Sequence, residues 1–222
     1  MKFLIFDSGP LISLTTNGIL YILEKLKQNF NGEFIITPQV KKEVIDRALK
    51  IKKYELEAIQ LKDLLDKGIL KLSSDFVPNN KLEKEAAQII KSSNEIIKSG
   101  NEKISLLHDG EASCLAFARL CKSENLIAID ERTTRLVTES IDNLKALMER
   151  KLHTKISINT SNLKEFREFR YIRSSELVYI AYKKDLLNLK KDKNLLDALL
   201  YAVKFHGTAI TSEEVEAMKS LA

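Results

Sequence analysis

The chain has 222 residues, 44% of them hydrophobic, which is enough to bury a substantial core and excludes an intrinsically disordered protein. Seven Gly, three Pro and no Trp, with 30% charged residues, describe a helix-rich globular protein and exclude collagenous or low-complexity classes. The net charge of +5 is unevenly placed: residues 1–144 balance 21 Lys/Arg against 21 Asp/Glu, whereas residues 145–205 hold 14 against 7. No apolar run approaches the ~20 residues of a membrane span and the first residues do not read as a signal peptide, so a cytoplasmic protein with no membrane partner is expected.

Lys2 to Asp7 is a short apolar run stopped by Ser8, Gly9 and Pro10, the pattern of a strand buried on both faces. Leu11 to Asn29 carries helical spacing interrupted around Asn17 and Gly18, and Glu33 to Ile36 reads as the second strand. Thr37 followed by Pro38 is a helix start that places Glu43 in the second turn. A charged helical pair spans Tyr54 to Ser99, broken near Gly68 to Asn80, with a short strand at Ile69 to Leu72.

Asp109 to Lys122 is a strong amphipathic helix, and Leu126 to Asp130 the next buried strand. Arg132 to Leu152 reads as one long helix and Lys155 to Ile158 as a further strand. The alternation of strands and helices predicts an α/β fold with a central parallel sheet flanked by helices. The last sixty residues read as mostly helical, with a strand at Thr208 to Ile210 and a capping box at Thr211 to Glu214. The expected division is a domain over residues 1–150 and a helical extension over 151–222 packed on it.

Cys114 and Cys121 lie seven residues apart on one predicted helix, a rise of roughly 10 Å, so both read as reduced thiols. Neither they nor His108, His153 and His206 have zinc-ligand spacing. The acids are more informative. Asp7 and Asp130 each end a strand, where α/β sheets gather ligands, and Glu43 and Glu111 sit near helix starts. Converged carboxylates stay ionised together only with cations between them. The competing readings are local: Asp7 and Asp130 as helix caps, Glu111 favouring its helix dipole, Glu43 as a solvated glutamate.

The segments FDSGPLISL, ITPQVKKEV (Ile36–Val44), LHDGEASCLAFA (Leu107–Ala118) and IAIDERTTR (Ile127–Arg135) together resemble the PIN-domain family, in its order of elements. The resemblance covers about a quarter of the chain. It implies a three-layer α/β fold and a Mg²⁺- or Mn²⁺-dependent endoribonuclease whose acid quartet is Asp7, Glu43, Glu111 and Asp130, with Asp7 and Asp130 as direct ligands. It also admits a catalytically weak module that binds RNA or protein, and a toxin-type ribonuclease controlled by an antitoxin; a homodimer is compatible with either. Gly9 stands where many members carry Ser or Thr, so a hydroxyl beside the site comes from Ser8 or is absent.

RNA, single-stranded or looped, is the expected partner of an acid-centred groove with a basic rim. Arg132, and Lys164, Arg167, Arg170 and Arg173 recurring every third residue on a predicted helix, are the candidate phosphate contacts, with Ser8 on the substrate side. Asp109, Glu131, Arg135, Asp197 and His108 are secondary candidates, each with a plainer reading as a solvated or ion-paired side chain.

Overall fold

A computed structural model describes residues 1–99 and 102–221. In chain order the first half gives β1 (Phe3–Phe6), α1 (Ser8–Thr16), α2 (Ile22–Gln28), β2 (Glu33–Ile36), α3 (Pro38–Lys41), α4 (Glu55–Asp66), β3 (Leu70–Leu72), α5 (Asn79–Asn94), β4 (Ile97–Ser99) and β5 (Glu102–Lys103). The second gives α6 (Asp109–Cys121), β6 (Asn125–Ala128), α7 (Arg132–Glu139), α8 (Ile141–Leu152), β7 (Ser157–Ile158), β8 (Tyr171–Ile172), α9 (Ser174–Lys183), α10 (Leu195–Phe205) and α11 (Ser212–Ser220). Among the described residues no helix is long and apolar enough to cross a membrane.

Five strands form a parallel sheet in the order β3-β2-β1-β6-β8, flanked by helices. The strands are nearly continuous apolar runs because both faces are covered, and Ile5, Phe6, Ile35 and Ile36 are wholly buried. The chain runs outward from β1 through β2 to β3, then returns to pair β6 with the other side of β1. That reversal makes the β1/β6 boundary a topological switch point, where the carboxyl ends of the strands open onto a crevice. Phe6 pairs with Ala128, so Asp7 and Asp130 leave adjacent strands at that crevice.

α3 begins as its sequence predicts: the Thr37 hydroxyl accepts from the Val40 amide at 3.2 Å and Pro38 takes the first turn. It then widens into a π-helical stretch, Lys42–Arg47, which carries Glu43. Thr211 caps α11 with Glu214 reciprocating, as the TSEE motif predicts. Both cysteines are free, Cys114 buried and Cys121 half-buried.

Four expectations are corrected. The long helix from Arg132 to Leu152 is two helices, because Ser140 adopts an extended conformation and accepts from the Asn143 amide to start α8. Lys155–Ile158 does not extend the parallel sheet; Ser157–Ile158 pairs antiparallel with β4 in a separate small sheet, β5-β4-β7. Thr208–Ile210 is not a strand, its polar groups being spent on Asp130 and nearby arginines.

The helical ridge of Lys164, Arg167, Arg170 and Arg173 is absent. A 3₁₀ turn over Leu163–Phe166 leads into β8, since burial of Phe166 and Phe169 draws the segment against α6 and α7. Residues after 151 thus supply the fifth strand of the sheet, and Phe166, Leu177 and Val178 join the same core as β1 and β6.

In the core the rings of Phe3 and Phe76 meet Phe117 edge to face, at 5.3 and 6.4 Å between centroids. Phe117→Ala is expected to cost about 3–5 kcal/mol, as large aromatic truncations in packed cores do. A urea-denaturation midpoint within error of wild type would show that α6 is not held by this cluster.

Candidate functional site

Asp7, Glu43, Glu111 and Asp130, predicted from distant segments, line one open pocket of about 400 Å³ at the switch point, with Ser8, Gly9 and Glu131 on its rim. Asp7, Glu111 and Asp130 are 5%, 5% and 3% exposed, whereas Glu43 reaches in from the surface. Asp7 caps α1, accepting from the Gly9 amide at 3.5 Å, so the capping reading and the site reading hold together. Glu111 accepts from the His108 amide at 2.8 Å and from the Thr134 hydroxyl at 2.7 Å.

Asp130 is held most firmly. Its Oδ1 accepts from the Ser174 amide at 2.8 Å, the first N–H of α9, and its Oδ2 accepts from the Thr208 hydroxyl at 3.2 Å. Both donors belong to the C-terminal third of the chain. Nothing local to Asp130 announces them; the Ser174–Ser175–Glu176 run marks a helix start without saying which carboxylate it abuts. Ser174, Thr208 and Thr134 are therefore the site residues that sequence reasoning missed.

Gly110 explains why a helix begins here without a side chain. A Cβ at that position would lie 3.3 Å from Asp7 Oδ1 and 3.6 Å from Glu43 Oε2, so both carboxylate oxygens converge over its backbone. Thr37 and Ser113 share a buried hydroxyl contact of 2.6 Å that ties the start of α3 to α6, fixing the segment carrying Glu43 against the helix carrying Glu111.

The electrostatics follow from burial. Desolvation raises the Asp7 carboxyl from its ordinary 3.8 to about 7, with the Glu111 charge adding to the effect. Desolvation also raises Glu111 and Asp130, opposed in each by the hydrogen bonds just described. Among the described residues no Lys or Arg forms an ion pair with any of the four acids.

A hard divalent cation is the group this donor set implies. The residues fit it in chemistry: all donors are carboxylate oxygens, three are buried, and among the described residues none is ion-paired with Lys or Arg. In spacing the acids are more open, since among the described residues no three His, Cys, Asp or Glu side chains gather as a ready-made metal cage. The expected ligand pair shares one neighbourhood, since Asp7 Oδ2 and the Asp130 Cβ both lie within 4 Å of where a Cβ on Gly9 would stand, while both Asp130 oxygens accept from Ser174 and Thr208.

The predicted phosphate contacts fare unequally. Arg132 is exposed in the first turn of α7, beside the pocket-lining Glu131, and forms no ion pair among the described residues. Arg173 is consumed by Glu176 and by Glu214 at 2.9 Å. Arg170 precedes β8 and lines a groove of about 1010 Å³ at the opposite, amino edge of the sheet, with Lys2 and Lys122. Lys164 and Arg167 lie on the same approach to β8 and are exposed. The four therefore cannot form one ridge beside the acids.

Of the secondary candidates, Glu131 caps α7 by accepting from the Thr133 amide, Asp197 pairs with Lys219 at 2.6 Å, and Arg135 is buried against Glu139 and the Ala209 carbonyl. Asp109 and His108 are exposed at the start of α6, His108 within the pocket lining. The lining of the larger amino-edge groove lacks a carboxylate cluster, so the smaller pocket is the candidate site. No protein-family model, curated protein or solved structure compared with the chain matches it.

The raised Asp7 value sets the sign of a pH effect. Between about pH 4 and pH 7 the folded carboxyl holds a proton that the unfolded one releases, so metal-free stability falls as pH rises, by at most about 4 kcal/mol from this group. Asp7→Asn is expected to flatten that slope and to raise metal-free stability near neutral pH. Urea midpoints taken across this range check it, and a slope identical in both proteins would remove Asp7 as its source.

Proposed function

We propose that this chain is a divalent-metal-dependent endoribonuclease of the PIN type, hydrolysing an RNA phosphodiester to a 5′-phosphate and a 3′-hydroxyl. The reading is carried by one observation: four acids from four separate segments meet in one pocket at the switch point, three of them buried and, among the described residues, in no ion pair with Lys or Arg. Resemblance of the flanking segments to the PIN family supports the choice of reaction and of Mg²⁺ or Mn²⁺. Single-stranded or looped RNA suits an open pocket that a backbone can enter without a duplex behind it.

Asp7 and Asp130, leaving adjacent strand ends on either side of Gly9, would hold the ion, with Glu43 and Glu111 completing the negative field. When bound, the ion supplies an activated water and offsets the charge on the reacting phosphate. The chain's own residues supply orientation. Thr134 and the His108 amide fix the Glu111 carboxylate, Ser174 and Thr208 fix Asp130, and Ser8 offers a hydroxyl at the rim.

A second reading has a specific observation in its favour. The oxygens of Asp130 and Glu111 already accept hydrogen bonds from protein donors, and no three acids close on one point among the described residues. A PIN-like module that binds RNA without cleaving it accounts for those facts equally well.

The two readings separate experimentally. Asp7→Asn and Asp130→Asn are each expected to abolish Mn²⁺-dependent cleavage of a mixed RNA pool while remaining folded, with Glu43→Gln less severe. Full activity in Asp7→Asn at saturating Mn²⁺ would remove the acids from the chemistry. Mn²⁺ is also expected to raise the melting temperature, by mass action worth roughly 2.7 kcal/mol at a hundredfold excess over the dissociation constant. An equal rise in the Asp7→Asn, Asp130→Asn double variant would place the ion elsewhere.

A further inference from the structure

Among the described residues, the lining of the pocket that gathers Asp7, Glu43, Glu111, Asp130 and Glu131 includes one Lys or Arg, Lys151. Lys151 sits in the last turn of α8, exposed, and among the described residues makes neither an ion pair nor a hydrogen bond. Its direction is set by the residue one turn earlier. Met148 is 5% exposed, belongs to the core and also lines the pocket, so Lys151, three residues on, shares the face that α8 turns toward the acids.

An acid-lined pocket repels the phosphates on either side of the one that reacts. A resident cation offsets charge at its own position, but the field falls off within about 10 Å at ordinary ionic strength, leaving the neighbouring phosphate without a partner. A lysine at the rim is suited to that task, being a point charge on a flexible stem with three donors. The plainer roles leave marks that Lys151 lacks. An internal counter-ion would bridge to a pocket carboxylate, and none pairs with it; a purely helix-terminal charge would not need to line the pocket, although Lys151 also complements the α8 dipole.

We infer that Lys151 is a substrate-positioning residue that contacts an RNA phosphate flanking the scissile one. This rests on the ribonuclease reading of the acid pocket. It also relocates the basic rim: the contribution comes from α8, on the wall opposite the amino-edge groove where Arg170 lies.

The test compares wild type, Lys151→Ala and Lys151→Arg in steady-state cleavage of a short mixed-sequence single-stranded RNA with Mn²⁺, together with the Mn²⁺-induced melting shift. Lys151→Ala is expected to lower kcat/KM roughly five- to tenfold, chiefly through KM, and to flatten its logarithmic salt dependence by about 0.7. Lys151→Arg should recover most of the loss, and the Mn²⁺-induced shift should be the same in all three. Unchanged kcat/KM and salt slope in Lys151→Ala overturn the inference while leaving the ribonuclease reading intact. An altered Mn²⁺ shift that tracks the kinetic loss also overturns it, making Lys151 a counter-ion for the acids. If wild type cleaves no RNA with either Mn²⁺ or Mg²⁺, the ribonuclease reading itself fails and the role of Lys151 falls with it.

Discussion

Burying three carboxylates where two adjacent parallel strands end is the constraint to which the rest of this structure answers. Asp7, Glu111 and Asp130 are almost fully removed from water, and a carboxylate in that position costs several kcal/mol unless donors or a cation compensate it. The chain meets part of the cost with backbone N–H groups at helix starts. Gly9 serves Asp7, His108 serves Glu111, and Ser174 serves Asp130. Helix N-termini suit anions, so the sheet's carboxyl edge is ringed by the ends of α1, α6 and α9. The remaining cost of burial, to which the Glu111 charge adds, shows in the raised Asp7 carboxyl and is the part a bound cation would offset.

The C-terminal third is part of this arrangement. Thr208 donates to Asp130, and the neighbouring Ala209 carbonyl accepts from Arg135 at 3.1 Å and from Arg173 at 3.3 Å. Arg173 in turn pairs with Glu214 of α11 and with Glu176 of α9. The link between α10 and α11 is thereby stapled to the end of β6, and Asp130 is oriented by residues some 40 to 80 positions away in sequence. Burial and the neighbouring Arg173 charge lower the pKa of Arg135, while Glu139, Glu176 and Glu214 oppose that change. Within the basic excess of residues 145–205, Arg173 is consumed internally and Arg170 faces the other edge of the sheet, while Lys151, Lys164 and Arg167 are exposed.

The electrostatic layout of the pocket is correspondingly asymmetric. Its floor is acidic and held by the sheet and by α6, while the face contributed by α8 carries Lys151 and the buried Met148. Such a division keeps the charge that would grip a polyanion separate from the charge that would hold a cation, so neither neutralises the other directly. Gly110 permits the acids to approach from the α6 side, and Ser140, by breaking what would otherwise be one helix, lets α8 turn back as a separate wall.

What was legible in the sequence was what short-range chemistry fixes. Apolar runs ended by an acid gave β1 and β6, Thr37–Pro38 gave the start of α3, and Thr211–Glu214 gave the start of α11, because solvation period, capping hydrogen bonds and proline geometry act within a few residues. The four acids could be named for the same reason: each stands at the end or start of an element. Tertiary structure alone decided the rest. The Phe166 and Phe169 side chains, buried against the core, turned a helix-like repeat of cations into a 3₁₀ turn and β8, since burying two rings outweighs a local spacing preference. Strand order, which puts β6 beside β1, is set by packing over the whole sheet, and with it the meeting of Asp7 and Asp130, the donors Ser174 and Thr208, and the orientation of Lys151. None of these has a local signature, because each depends on which distant surfaces exclude water together.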